Sequence, residues 1–75
     1  MESLSELCMY VMNSSHTQNV DLRVESFENF LLGLSKETDL EELERTRFVA
    51  ESIISDSTRE KVLDLIESKI KDLQK

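Results

Sequence analysis

Positions 7–12 carry six consecutive apolar residues, LCMYVM, and this run decides how the chain folds. It lies within residues 3–13, where apolar residues recur at the i, i+3, i+4, i+7 spacing of a helix (Leu4, Leu7, Cys8 and Val11). Ser3 and Glu6 supply an S-x-x-E capping box at the start of that segment. The sequence therefore predicts a first helix over residues 3–13 that is apolar on more than one face.

This apolar helix has two interpretations. A helix that is hydrophobic all round is either buried at the centre of a core or covered by a partner. A chain of 75 residues offers little surface to cover it, and methionine makes a contact face adaptable. We predict an interface with a partner or a second copy, and burial in the core of the monomer is the alternative. The predicted interface residues are Leu7, Met9, Tyr10, Val11 and Met12.

Three further helices are predicted, at about residues 20–34, 39–54 and 58–74. Apolar residues in the second helix are spaced 4, 3, 4 and 3 apart (Val20, Val24, Phe27, Leu31 and Leu34). Those in the fourth helix are spaced 3, 4 and 3 apart (Leu63, Ile66, Ile70 and Leu73). We expect these two stripes to form the core by antiparallel packing at about +20°. The alternatives are a short extended piece near Val20 and a continuous third and fourth helix.

Local signals agree with an all-α fold. Thr38 with Glu41, and Ser57 with Glu60, form two more capping boxes. Gly33 is expected to end the second helix, since glycine is favoured near helix C-termini. The chain has no proline and one glycine, a composition that disfavours hairpins. We predict a single all-α domain, a small bundle of three to four short helices, which forms a homodimer.

The composition excludes several classes of function. One cysteine, Cys8, permits no intrachain disulfide and no multi-cysteine zinc site. One histidine, His16, permits no HExxH motif, and we predict neither a metal nor another cofactor. Burial of Cys8 in an apolar helix would raise its pKa and leave the thiol inert, so we do not expect an enzyme. No apolar run reaches the roughly 20 residues of a membrane span, and a free thiol suits a cytoplasmic protein.

The negative charge is concentrated in the first part of the chain. Residues 1–44 carry ten acids and two bases, a net charge of −8, whereas residues 45–75 carry six acids and seven bases, a net charge of +1. Nucleic acids and anionic membranes are therefore disfavoured as direct partners, and a basic protein is favoured. We predict an acidic docking face that steers such a partner, formed by Glu37, Asp39, Glu41, Glu42 and Glu44.

These observations favour a bacterial or phage accessory protein that binds another protein and modulates it. A transcription factor, a nuclease or a toxin is the expected kind of target. One alternative is a dedicated secretion chaperone or an immunity-type protein for a single partner. These alternatives share the prediction that binding, not catalysis, is the function.

A second alternative comes from Asp56-Ser57-Thr58 at the predicted start of the fourth helix. The pair Asp56-Ser57 resembles the Asp-Ser-Leu motif of acyl carrier proteins, which are small, acidic and four-helical. In this chain Thr58 stands where that motif has leucine. The resemblance implies a phosphopantetheine arm on Ser57, whereas the residues themselves predict a helix cap at this position.

Overall fold

Four α-helices make up the computed structural model, which describes residues 2–15, 17–52 and 57–74. The chain is all-α, as predicted, and the helices pack together as a bundle. Their bounds are α1 Leu4–Ser14, α2 Val20–Lys36, α3 Leu40–Ser52 and α4 Ser57–Leu73. Residues 53–56, which include the predicted end of the third helix, lie outside the described residues.

The first two helices begin at side-chain caps. The Ser3 hydroxyl accepts a hydrogen bond from the Glu6 amide at 3.3 Å, which confirms the predicted cap of α1. The Asn19 side-chain oxygen accepts from the Leu22 amide at 3.1 Å and caps α2. Residues 20–24 are therefore helical, and the alternative of an extended piece at Val20 is wrong.

The third helix begins one residue later than its predicted cap. Asp39, not Thr38, precedes the first helical residue, and its main-chain oxygen accepts from the Leu43 amide at 3.1 Å. Its carboxylate accepts from the Glu41 amide at 3.0 Å. A charged cap at a helix N-terminus satisfies an unpaired amide and also complements the helix dipole. The predicted role of Thr38 as the cap is therefore wrong by one residue.

Gly33 does not end α2, which continues to Lys36. The residue instead faces side chains of α1. A Cβ atom at this position would lie 2.8 Å from Leu7 Cδ1 and 3.5 Å from Leu4 Cδ1. The missing side chain therefore permits close packing of the two helices, so the predicted role of Gly33 as a stop is wrong.

The helix α1 is the centre of the bundle. It packs along α2 on one side and along α3 on the other, while α4 packs mainly along α3. Within the described residues, the backbones of α2 and α3 do not approach each other closely. Because α3 and α4 lie against each other and share one core, they cannot be a single continuous helix. Among the described helices, none combines the length and apolarity needed to cross a bilayer.

The core contains residues from all four helices. Two of its members, Ile66 and Ile70, belong to the stripe predicted on α4, and Leu63 and Leu73 of that stripe pack partly buried against it. The buried apolar residues are Leu4, Cys8, Val11, Met12, Phe30, Leu34, Leu43, Ala50, Val62, Ile66 and Ile70.

The predicted core stripe of α2 is largely wrong. Val20, Val24 and Leu31 are exposed, and only Leu34 of that stripe is buried. The residue that α2 contributes most deeply is Phe30, which has no exposed surface. The reason is that α2 packs mainly on α1 and makes few contacts with α4. The face of α2 that points into the core therefore lies next to the predicted stripe and does not coincide with it.

The relative direction of α2 and α4 also differs from the prediction. The start of α4, at Thr58 and Lys61, faces the first half of α2 across a groove. Farther along, Lys69 Nζ donates a hydrogen bond of 3.1 Å to the Ser35 carbonyl near the end of α2. The two helices therefore run in the same direction, as alternate helices of an up-and-down bundle do.

Candidate functional site

The fold buries some of the predicted interface residues of α1 and leaves others exposed. Met12 and Val11 are 1% and 3% exposed and belong to the core, so they offer almost no surface to a partner. Leu7 is partly buried against the core at the α1–α2 contact. Met9 and Tyr10 are 45% and 49% exposed, and they lie on the outer side of the helix. Two of the five predicted interface residues are therefore core residues, as in the alternative interpretation, because α1 is flanked by both α2 and α3.

Tyr10 lies in a groove of about 390 Å³ between α1 and α2, which we call the Tyr10 groove. Its apolar side chains are Leu7, Tyr10 and Leu22, of which the last two are about half exposed. Near them, the Ser14 and Ser26 hydroxyls share a hydrogen bond of 2.7 Å that joins the two helices. The full lining is Glu2, Leu7, Tyr10, Asn13, Ser14, Thr17, Leu22, Glu25, Ser26 and Asn29.

The charge of the Tyr10 groove is acidic. Glu2 and Glu25 line it, and its described lining contains no Lys or Arg. An apolar surface with carboxylates beside it suits a side chain that has an aliphatic stem and a cationic end. The face of the tyrosine ring would add a cation–π contact for a bound Arg or Lys.

Leu22 and Glu25 were not predicted as site residues. Leu22 lies between Val20 and Val24 in the sequence but does not belong to the predicted core stripe. It lies about 160° around the helix from Val24, at 100° per residue, so it faces the opposite side of α2. An apolar residue outside the main stripe of an amphipathic helix was the signal that could have identified this groove.

A second groove, of about 620 Å³, lies on the other flank of α2, and we call it the Val24 groove. Its α2 wall is the exposed part of the predicted core stripe, and its α4 wall is the first turn and a half of that helix. The lining residues are Val11, Ser14, Ser15, Val20, Arg23, Val24, Phe27, Glu28, Leu31, Thr58 and Lys61.

Two of the carboxylates in the predicted acidic docking face form ion pairs within α3. Glu42 is buried, with its carboxylate 3.1 Å from Arg45, so this residue does not belong to an exposed face. The Glu44 carboxylate lies 2.8 Å from Arg47 on the surface of α3.

The remaining members of that face lie at or beside the α2–α3 turn. Glu37 accepts a hydrogen bond from the Asp39 amide at 3.2 Å, and Asp39 caps α3. Glu41 is exposed in the first turn of α3. Several of the five carboxylates thus serve helix ends or ion pairs, and exposed ion pairs of this kind contribute little to stability.

The Cys8 thiol is buried in the core, and burial raises its pKa from 9.0 to about 11. The predicted direction of this shift is confirmed. Between those two values the native thiol keeps its proton, while the unfolded thiol releases it. The native state then binds more protons, so the free energy of unfolding falls as the pH rises through this window.

We expect the urea midpoint of the protein to fall between pH 9.0 and about 11 more steeply than that of Cys8→Ala. Comparison of the two slopes removes every pH-dependent contribution that both proteins share. Equal slopes would contradict a protonated, buried thiol in the native state.

Other candidate chemistry has little support in the described residues. Within them, no group of three His, Cys, Asp or Glu side chains is placed to hold a metal ion. Ser57 is the first residue of α4 and is exposed, while Asp56 of the carrier-like motif lies outside the described residues. His16 lies outside them as well.

Comparison with protein-family models, with curated proteins and with solved structures gave no match for this chain.

Proposed function

We propose that this chain is a small, non-enzymatic protein that binds a basic region of another protein and modulates it. A regulator or inhibitor of a transcription factor, a nuclease or a toxin fits this description. The observation that carries the proposal is the Tyr10 groove. It combines a half-exposed aromatic ring, a half-exposed leucine and carboxylates in one concave surface.

The proposed contact is small and specific. A groove of about 390 Å³ lies at the lower end of the roughly 300–1,000 Å³ range of ligand pockets, so it suits a few side chains of a partner. Half-exposed Tyr10 and Leu22 would anchor an apolar residue of that partner. Glu2 and Glu25 would pair with its Lys or Arg side chains.

The charge of the chain supports a basic target. Residues 1–44 carry ten acids and two bases and include every residue of the Tyr10 groove. Long-range attraction of this kind raises the rate of association and weakens as salt is added. We also propose that the protein acts as a homodimer in the cytoplasm.

The experiment is a nuclease-treated pull-down from the native host, read by quantitative mass spectrometry, with the wild type and two double variants. Tyr10→Ala with Leu22→Ala removes both apolar anchors of the groove. The matched control, Leu32→Ala with Phe48→Ala, removes an exposed leucine and an exposed ring elsewhere. We expect the wild type and the control to retain a basic protein. The groove variant should retain at least tenfold less of that protein, equivalent to about 1.4 kcal/mol.

The same purified partner would then be titrated at low and high salt. We expect Glu25→Lys to weaken binding and to flatten its salt dependence, because this carboxylate lines the groove. Equal retention by the groove variant and the control, or affinity unaffected by salt, would overturn the proposal.

A further inference from the structure

The Val24 groove exposes an apolar stripe that the monomer does not cover. Val20, Val24 and Leu31 are 57%, 49% and 37% exposed, and Phe27 lies partly buried beside them. Their spacings of 4, 3 and 4 residues follow the heptad pattern of a two-helix seam. A surface with apolar residues at this spacing fits another helix whose apolar residues have the same spacing.

The charged residues that line this groove are arranged by sign. Arg23 and Glu28 are five residues apart, which places them about 140° apart around α2, on opposite sides of the stripe. Arg23 lies on the side of the stripe that faces the core, close in angle to buried Phe30. Lys61 is on α4, which packs on that same side. One side of the stripe is therefore basic and the other is acidic.

This arrangement is complementary to itself in one orientation. When two copies of α2 pair in parallel, the two-fold axis runs along the helices and the basic side of each copy faces the acidic side of the other. A five-residue offset between oppositely charged residues is the spacing of the flanking ion pairs in parallel two-stranded coiled coils. An antiparallel pair would set each side against its own copy, so that like charges meet.

We propose that the Val24 groove binds α2 of a second copy of this chain in a parallel, two-fold symmetric dimer. Val20, Val24 and Leu31 pack against the same residues of the other copy. Arg23 pairs with the partner's Glu28, and the symmetric pair forms on the other side of the seam. This inference rests on the homodimer proposed above and moves its interface from α1 to α2.

The size of the seam sets the expected affinity. The stripe from Val20 to Leu31 spans 11 residue steps, about 17 Å along the helix. A seam of this length is smaller than a standard interface of about 800 Å² per partner, even with the α4 wall of the groove. We therefore expect a reversible dimer with a dissociation constant in the micromolar range.

Sedimentation equilibrium across the micromolar range tests whether the Val24 groove is the dimer interface. Leu31→Asp and Leu32→Asp are a matched pair, because both leucines are exposed in the monomer and only Leu31 lines the groove. We expect Leu31→Asp to weaken dimerisation by at least tenfold, equivalent to about 1.4 kcal/mol, and Leu32→Asp to leave it unchanged. A monomeric wild type, or equal effects of the two variants, would overturn the proposal.

Charge reversal tests the pairing. Arg23→Glu and Glu28→Arg should each weaken the dimer, because each places like charges across the seam. The double variant Arg23→Glu, Glu28→Arg should restore dimerisation, because it exchanges the two partners of the same pair. Failure of the double variant to recover would contradict the Arg23–Glu28 contact.

Disulfide formation tests the orientation. In a parallel dimer the two copies of Val20 lie side by side, so Val20→Cys should cross-link under mild oxidation. In an antiparallel dimer each Val20 would lie opposite the partner's Leu31. The two introduced cysteines would then be about 17 Å apart along the helices, which is too far for a disulfide. Buried Cys8 serves as an internal negative control. A dimer without this cross-link would overturn the parallel arrangement, and it would leave the Tyr10 groove proposal unaffected.

Discussion

Replacing Met12 with aspartate is expected to unfold the protein, whereas the same change at Met9 is expected to leave it folded. Met12 is 1% exposed and packs in the core shared by all four helices. A carboxylate there would be buried without a cation, which costs several kcal/mol. The core of a domain of this size rarely supplies more than about 3–5 kcal/mol, so one such change is sufficient to unfold it.

The comparison with Met9→Asp makes this prediction specific. Met9 is 45% exposed, so the new carboxylate stays in water and the free energy of unfolding should change by less than about 1 kcal/mol. Far-UV circular dichroism during thermal unfolding would measure both variants. A cooperative transition of Met12→Asp near the wild-type temperature would show that Met12 is not a core residue.

Replacing Phe30 with alanine is expected to cost about 3–5 kcal/mol of stability. Phe30 has no exposed surface, and its ring centroid lies 6.5 Å from that of Phe27 in a tilted arrangement. Truncation removes both the buried apolar area and this ring contact, and it leaves a cavity between α2 and the rest of the bundle. Urea unfolding, followed by circular dichroism, would give the change in free energy.

Phe48→Ala is the matched control for this loss. Phe48 is 70% exposed on the outer side of α3, so its truncation should change stability by less than about 0.5 kcal/mol. Phe30→Leu keeps most of the buried volume, so it should cost less than about 1.5 kcal/mol and remain measurable if the alanine variant does not fold. Equal costs for Phe30→Ala and Phe48→Ala would contradict the observed core.

The site could be predicted only in part. Tyr10 was identified from an apolar run, and the structure places it in a groove with Leu22 and Glu25. Those two residues are 12 and 15 positions farther along the chain. No local pattern links them to Tyr10, because the contact between α1 and α2 decides which side chains share the groove.

The stripe on α2 shows the limit of periodicity more clearly. The spacing of Val20, Val24, Phe27 and Leu31 predicts that these residues lie in the core of the monomer. Periodicity reports that a helix has an apolar face, but it does not report what covers that face. The structure turns Phe30 inward and leaves most of the stripe at the surface.

The sequence by itself determined that the chain is all-α and where most of its helices begin, whereas the packing of α3 against α4 decided that these two are separate helices. The fold class and the helix starts depend on caps and apolar spacing, which act over a few neighbouring residues. The tertiary structure alone decided that α1 is central, that Met12 is buried while Met9 is exposed, and that α2 has a groove on each flank. An apolar run such as residues 7–12 suits several orientations of its helix, and only the packing of α2 and α3 against it selects one.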